Sequence, residues 1–182
     1  MKHTLVALMQ DHPGVLNRVV SLVRRRNFNI ESLTVGHSET PGISRMTLVV
    51  DAADVEQIIK QLYRLIEVLK VSDVTHDAVV EREVALIKLH VTRPSRAELV
   101  ALANVFDATI VDVGPTSMIV EMTGAPDDVE RFIELVRPFG IKEMMRTGRI
   151  AMVRGPATHR AASETEAQEN GRAAEAPLAT AV

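Results

Sequence analysis

The segment of this sequence best suited to binding a small ligand is the turn Asp11-His12-Pro13-Gly14-Val15-Leu16. It follows an apolar, β-prone run at Thr4–Met9 and precedes a helical pattern. The first turn of a helix presents backbone N–H groups that have no partner within the helix, and the helix dipole is positive there. These two properties together bind carboxylates and phosphates. The turn is therefore a candidate anion site.

Two residues of this turn would shape the approach of a ligand. Gly14 has no side chain, so a ligand can reach the backbone, and Pro13 fixes the geometry of the entering chain. A free amino acid would bind with its carboxylate on the N–H groups near Gly14 and Val15, and with its ammonium against Asp11 or a nearby carbonyl. The same spacing also fits an ordinary strand-to-helix turn in which Asp11 or His12 simply begins the helix. On spacing alone this second interpretation is favoured.

Residues for catalysis or metal binding are not grouped in this sequence. The absence of cysteine excludes disulfides, thiolate catalysis and Cys-ligated zinc. The six histidines occur singly, and none forms the His-x-x-x-His or His-x-x-Glu pair that metals need. Nucleophile-elbow and phosphate-loop motifs are also missing. We therefore predict a chain that is not an enzyme and has no metal site.

The bulk composition narrows the class of protein. The chain has 182 residues, of which 46% are hydrophobic but only 3% aromatic, so aliphatic side chains must fill the core. The formal net charge of −3 gives no indication of nucleic-acid binding. The first apolar run is too short for a signal peptide, and no run approaches the roughly 18 residues of a membrane span. We expect a soluble cytoplasmic protein, or an organelle protein in its mature form.

The elements that would carry the turn follow the order βαββαβ, the ferredoxin-like split unit. Strands are predicted at 3–9, 29–37, 45–50 and 68–75. A first helix is predicted at 14–27, and a second begins at Asp54.

The second half repeats this order without obvious sequence identity. Strands are predicted at 84–91, 108–113, 117–123 and 141–153, and helices at about 95–106 and 126–137, the first with a capping box at Ser95-Arg96-Ala97-Glu98. The acidic pair Asp127-Asp128 is interpreted as the first turn of a helix, and Glu81 with Glu83 as a solvated linker.

The fold class predicted from this order is α+β, with two ferredoxin-like domains and a tail. The N-terminal domain covers residues 1–77, the second covers 78–154, and residues 155–182 form the tail. Alanine and glutamate dominate the tail, so it cannot bury enough apolar surface to offset its ordering entropy, and we predict that it is disordered.

Several motifs resemble one regulatory family. Asp-x-Pro-Gly-Val-Leu after a strand resembles the ACT domain, a βαββαβ module that senses small molecules. Asn29-Ile30-Glu31-Ser32-Leu33-Thr34-Val35, followed by Ser44-Arg45-Met46-Thr47, resembles the regulatory small subunit of acetolactate synthase, also called acetohydroxyacid synthase. Val80-Glu81-Arg82-Glu83 and Ile110-Val111-Asp112-Val113 fit the same family. The resemblance covers about residues 2–154.

This resemblance implies a non-catalytic subunit that activates a catalytic large subunit and confers feedback inhibition by branched-chain amino acids, typically valine. Two ACT domains would pair side by side in a homodimer, and the effector would bind between them. The residues that would line the effector site are Asp11, His12, Pro13, Gly14, Val15 and Leu16 of one chain with Asn29 and Ile30 of the other. Thiamine diphosphate, FAD and magnesium would belong to the catalytic partner, so this chain would bind no cofactor.

One residue departs from the family pattern, and one other function stays open. Many members carry asparagine where this chain has Asp11, and a carboxylate cannot donate a hydrogen bond to the effector's carboxylate, although it can accept one from the ammonium. The alternative function is a stand-alone, amino-acid-responsive ACT regulator, for example of transcription. The absence of a helix-turn-helix and of a basic face counts against a transcription regulator.

Overall fold

The structure of the protein is a computed structural model that describes residues 1–26 and 28–155. The predicted disordered tail lies outside these residues except for Gly155, so it stays a prediction. Within the described residues no helix is both long and apolar enough to cross a membrane. The longest of them, Arg93–Val105, has 13 residues, fewer than the roughly 20 that a span needs.

The N-terminal half forms a four-stranded antiparallel sheet with two helices on one face. Its elements are β1 (Lys2–Gln10), α1 (Val15–Arg25), β2 (Asn29–His37), β3 (Ile43–Asp51), α2 (Val55–Leu62) and β4 (Val68–Asp73). The strand order is β2-β3-β1-β4, which makes β2 an edge strand. The predicted ferredoxin-like unit is therefore confirmed in this half.

Side chains alternate between the two faces of the central strand β1, and the apolar side chains on one face explain why both helices pack there. Leu5 and Ala7 of β1 are fully buried and belong to the core beneath the helices. Val15 and Val19 of α1 meet them from above, at the i, i+4 spacing that keeps two side chains on one side of a helix. The helix α2 starts at Asp54, whose carboxylate accepts a hydrogen bond from the amide of Gln57.

The C-terminal half repeats the arrangement with one additional strand. Its elements are β5 (Val79–His90), α3 (Arg93–Val105), β6 (Thr109–Val113), β7 (Ser117–Gly124), α4 (Pro126–Val136), a short 3₁₀ turn (Arg137–Phe139), β8 (Ile141–Arg146) and β9 (Ile150–Val153). The strand order β6-β7-β5-β8 matches β2-β3-β1-β4 of the first half. The second ferredoxin-like unit is also confirmed, with its own apolar core.

Two predicted element boundaries in this half are wrong. The capping box lies at Thr92 and Ser95, not at Ser95 and Glu98, because the Thr92 side chain accepts from the Ser95 amide and the Ser95 side chain accepts in return from the Thr92 amide. Pro94 then falls in the first helical turn, where its missing N–H costs nothing. The predicted strand 141–153 is two strands, β8 and β9, which pair with different parts of the long strand β5.

The interpretation of Glu81 and Glu83 as a solvated linker is also wrong. Both residues lie in β5, and Glu83 is only 5% exposed because it lies on the same face of the strand as Ala85 and Ile87. Its carboxylate accepts a hydrogen bond from Arg146 Nε at 2.6 Å. Burial alone would lower the pKa of Arg146, but its hydrogen bonds to Glu130 and Glu83 outweigh burial and raise that pKa.

We expect Glu83→Ala to destabilise the fold by roughly 2–4 kcal/mol, because it removes the buried carboxylate and leaves the Arg146 guanidinium without that partner. Urea unfolding of the full chain measures the change. The matched control is Glu130→Ala, which removes the other partner of Arg146 but from a side chain that is half exposed, so its cost should stay below about 1 kcal/mol. Equal losses for the two variants would contradict this assignment.

The face of the first sheet opposite its helices is covered by the second half of the chain. Val6 and Val74 of the first half form a small apolar cluster with Ala151 of β9, and Val79 and Val153 pack against it. Arg45 of β3 also donates a hydrogen bond to the carbonyl of Ala151 at 3.2 Å. The two halves are therefore in direct contact across this face.

Candidate ligand-binding site

The predicted turn contains a glycine, Gly14, whose backbone conformation few other residues adopt. Gly14 has φ 93° and ψ −16°, in the left-handed region, and it is the N-cap residue of α1. A Cβ built on Gly14 would meet no atom within 4 Å. The turn therefore requires glycine for its conformation, and the space beside Gly14 is open to a ligand.

The first turn of α1 offers amide groups to that space. Gly14 has no side chain to cap the helix, and α1 has no acidic residue in its first turn. The first backbone bond of the helix runs from the amide of Arg18 to the carbonyl of Gly14 at 3.0 Å. The amides of Leu16 and Asn17 precede it, where helix geometry supplies no acceptor. A carboxylate bound beside Gly14 would meet these donors at the positive end of the helix dipole.

Asp11 begins the turn and contacts His37, a residue that the sequence did not indicate. Its Oδ2 lies 2.9 Å from Nδ1 of His37, and its amide donates to the carbonyl of Gly42 at 2.8 Å. His37 ends β2, 26 residues along the chain. No local pattern links the two positions, and only the strand order brings them together. His37 thus joins the candidate site.

The other residues of the turn have unequal exposure. His12 is exposed, and its Nε2 lies 3.1 Å from Oε1 of Gln10. Leu16 is 41% exposed, whereas Val15 is 3% exposed and belongs to the core. Val15 therefore offers a ligand no side chain, and its amide already donates to the carbonyl of His12 at 3.4 Å.

The structure does not bring Asn29 and Ile30 to this turn within one chain. They begin β2, whereas His37 at the other end of β2 contacts Asp11. The eight residue steps between Asn29 and His37, at about 3.3 Å each, separate the two ends by roughly 26 Å. Asn29 is exposed, and Ile30 packs partly against the core. The candidate residues form one site only if a second chain supplies Asn29 and Ile30.

The backbone of β2 has hydrogen-bonding groups that point away from its sheet. Thr4 of β1 faces β4, since the amide of Val74 donates to the Thr4 carbonyl at 2.9 Å. Directions alternate along an antiparallel strand, so Leu5 faces β3 and its partner there, Leu48. Leu48 accordingly faces β1, and its neighbour on β2, Leu33, faces away from the sheet. The edge of β2 therefore presents the amide and carbonyl of Leu33 to another strand.

The described residues give no indication of a metal site. No group of three or more His, Asp or Glu residues among them is arranged to hold a metal ion. The buried cluster of Glu83 and Arg146 is engaged in internal ion pairs. The turn at Asp11–Leu16 therefore remains the best-supported site in the described part of the chain.

Two family models match the chain in succession. The model described as an acetohydroxyacid synthase small subunit-like ACT domain matches residues 5–70. The model described as the small subunit of acetolactate synthase matches residues 82–155. Together they span both ferredoxin-like units.

Individual proteins are similar over nearly their whole lengths. The probable acetolactate synthase small subunit of Archaeoglobus fulgidus is 55% identical over 157 residues, which is 85% of this chain and 98% of that protein. The acetolactate synthase small subunit of Bacillus subtilis is 46% identical over 158 residues, 85% of this chain and 92% of that protein. The crystal structure of the acetolactate synthase small subunit from Thermotoga maritima matches with a TM-score of 0.80 and 41% identity, covering 86% of this chain and 99% of that one.

Proposed function

The chain belongs to the acetolactate synthase small-subunit family, and on that premise we propose that it is a non-catalytic regulatory subunit. In this proposal it binds and activates the catalytic large subunit of acetolactate synthase. It also makes that enzyme sensitive to feedback inhibition by branched-chain amino acids, with valine the first candidate and leucine and isoleucine the others. Thiamine diphosphate, FAD and magnesium belong to the catalytic subunit in this proposal.

The observation that carries the proposal is the turn at Gly14. It combines a glycine in the left-handed conformation, open space where a side chain would be, and the backbone amides of the first turn at the N-terminus of α1. These groups suit the carboxylate of an amino acid. Asp11 and the partly exposed Leu16 lie in the same turn and could receive the ammonium and an aliphatic side chain, respectively.

A homodimer through β2 would complete this site. If two copies of β2 pair antiparallel about Leu33, Asn29 of the partner subunit lies opposite His37, which hydrogen-bonds to Asp11. The outward groups of Leu33 would pair with those of the second copy, which removes the liability of an uncovered edge strand. Residues that lie about 26 Å apart along β2 in one chain would then meet across the interface.

We expect the chain to be a homodimer at micromolar concentration, because the pairing of β2 covers an edge strand of the first sheet. Light scattering coupled to size exclusion measures the mass. The variant Leu33→Pro should shift the mass towards the monomer, because proline lacks the N–H that this edge would donate and interrupts strand pairing. A monomeric mass for the parent chain at this concentration would contradict the dimer.

In this proposal regulation works by a shift between dimer geometries. An effector bound between two subunits favours the geometry that closes around it, and feedback inhibition follows if that geometry activates the catalytic subunit less. The effector can shift the equilibrium only by its difference in affinity for the two geometries.

The test of the function uses the chain together with a catalytic large subunit. The expected result is co-purification, a higher acetolactate synthase activity than that of the large subunit alone, and inhibition of that activity by valine. Calorimetric titration of the small subunit with valine, leucine and isoleucine measures binding separately. A chain that neither associates with the large subunit nor changes its activity would overturn the proposal, and binding of an effector without a catalytic partner would favour the stand-alone regulator.

A further inference from the structure

The turn between β8 and β9, residues 147–149, lies against the middle of β2. The amide of Arg149 donates a hydrogen bond to Oγ of Ser32 at 2.8 Å, across 117 positions of sequence. A Cβ built on Gly148 would lie 2.5 Å from the carbonyl oxygen of Leu33 and 2.8 Å from its carbonyl carbon. Real Cβ atoms do not approach this closely, and backbone atoms cannot rotate out of the way as a side chain can. Only glycine fits at this position.

The contact lies on the face of β2 that is turned away from the helices. Leu33 packs against the core beneath α1 and α2, so Ser32 and Thr34 point to the opposite face. The Thr34 hydroxyl is buried there and has no hydrogen-bond partner among the described residues. The turn therefore contacts β2 in two ways. Gly148 packs against Thr34 and shields its hydroxyl from water, and Arg149 donates a hydrogen bond to Ser32.

The 147–149 turn is itself held firmly in the second half of the chain. Thr147 exchanges two hydrogen bonds with Val84 of β5, from its amide to the Val84 carbonyl at 2.9 Å and from the Val84 amide to its hydroxyl at 3.0 Å. Arg149 lies 3.3 Å from a carboxylate oxygen of Glu81 and 3.6 Å from one of Glu83. A displacement of the turn would therefore have to disturb β5 and its buried ion pairs.

The strand that this turn supports is an edge strand of the first sheet. Among the described residues β2 pairs with β3 alone, and it carries Asn29, Ile30 and His37 at its two ends. Leu33, against which Gly148 lies, is midway between Asn29 and His37. A shift of the strand at Leu33 would move both ends of the proposed effector site relative to α1.

We propose that the 147–149 turn positions β2 for effector binding, with Gly148 and Arg149 as positioning residues supplied by the second half. This inference rests on the proposed function, and it deepens that function by naming a physical link from the effector strand to the second domain. The link runs from Ser32 and Leu33 through the turn to the carboxylates of β5. It assigns the second domain a part in the effector response.

The test is Gly148→Ala in the full chain, assayed with the catalytic large subunit. We expect valine to bind about 10-fold less tightly, with activation of the large subunit retained. We also expect faster amide hydrogen exchange at 29–37 than in the parent, with exchange in β1 unchanged. The matched control is Gly36→Ala on the same strand, where an added Cβ meets nothing within 4 Å, and it should match the parent in both measurements.

A second variant keeps the test decisive if Gly148→Ala does not fold. Ser32→Ala removes only the acceptor of the Arg149 amide, and it should weaken valine binding in the same direction, whereas Ser32→Thr, which keeps a hydroxyl, should restore it. Parent-like exchange in β2 and parent-like affinity in a folded Gly148→Ala or Ser32→Ala chain would overturn the inference. A parent chain that binds none of the three amino acids would instead refute the proposed function, while the exchange measurement would still report on the contact.

Discussion

Gly14→Asp is expected to bind valine 10- to 100-fold less tightly than the parent chain while still activating the catalytic subunit. The new side chain would enter the open space beside Gly14 and bring a negative charge to the position proposed for the effector's carboxylate. Losing one charge-assisted hydrogen bond costs about 1.5–3 kcal/mol, and each 1.4 kcal/mol is about a tenfold change in affinity. Added repulsion makes this a lower estimate.

The control for Gly14→Asp must introduce a side chain of the same shape and the same backbone strain, but without the charge. Gly14→Asn is isosteric with aspartate, and both residues tolerate the left-handed conformation better than most. The difference in valine affinity between the two variants therefore measures the charge, whereas their shared loss measures occupancy of the space. Activation should survive in both, because the second half has its own core and contains no part of this turn.

Calorimetric titration with valine, leucine and isoleucine, run beside the activation assay, separates the possible results. A Gly14→Asp chain that binds all three amino acids as tightly as the parent would show that the effector site lies elsewhere. A chain that loses activation together with binding would show that the turn also contacts the catalytic subunit.

The order of the elements is predictable because each half has strong local patterns. The alternation along β1 and the i, i+4 spacing of Val15 and Val19 hold whether or not the rest of the chain is present. The turn at Gly14 is likewise visible, since Asp-x-Pro-Gly between a strand and a helix is a local signal. What the sequence could not supply is the neighbour of Asp11, because His37 reaches it only through the strand order.

The wrong predictions share one physical cause, which is competition between a local signal and tertiary context. Ser95 and Glu98 have the spacing of a capping box, but Thr92 can form one a turn earlier because Pro94 is tolerated in the first helical turn. The charge of Glu83 favours a solvated linker, yet the alternation of β5 puts this residue on the buried face, where it forms an ion pair with Arg146. Continuing the period of β5 backwards from Ala85 would have indicated this burial.

The role of Gly148 has no signal of its own in the sequence. A glycine between Thr147 and Arg149 is consistent with a strand, a bulge or a turn. Its requirement for the absence of a side chain arises from the carbonyl of Leu33, more than a hundred positions earlier in the chain. Contacts between distant segments of this kind appear only once both sheets are positioned.

Mixing two defective variants is expected to restore tight valine binding, which is the sharpest consequence of a site shared between subunits. Asn29→Ala should weaken binding from across the interface, and Gly14→Asp should weaken it from the turn. In a mixed dimer with two-fold symmetry of the backbone, one site combines both defects and the other combines an intact Gly14 with an intact Asn29. Equal mixing with free exchange produces about half mixed dimers, so about a quarter of all sites should bind valine as the parent does.

Calorimetry of the mixed sample should therefore show a tight phase that neither variant shows alone. The control is a mixture of Gly14→Asp with a chain that carries both Gly14→Asp and Asn29→Ala, because no combination of these subunits contains an intact Gly14. A site built within one chain gives a different result, since every site in the first mixture would then keep one defect and no tight phase would form. The roughly 26 Å between the two ends of β2 makes that second result incompatible with this fold unless the effector site excludes Asn29.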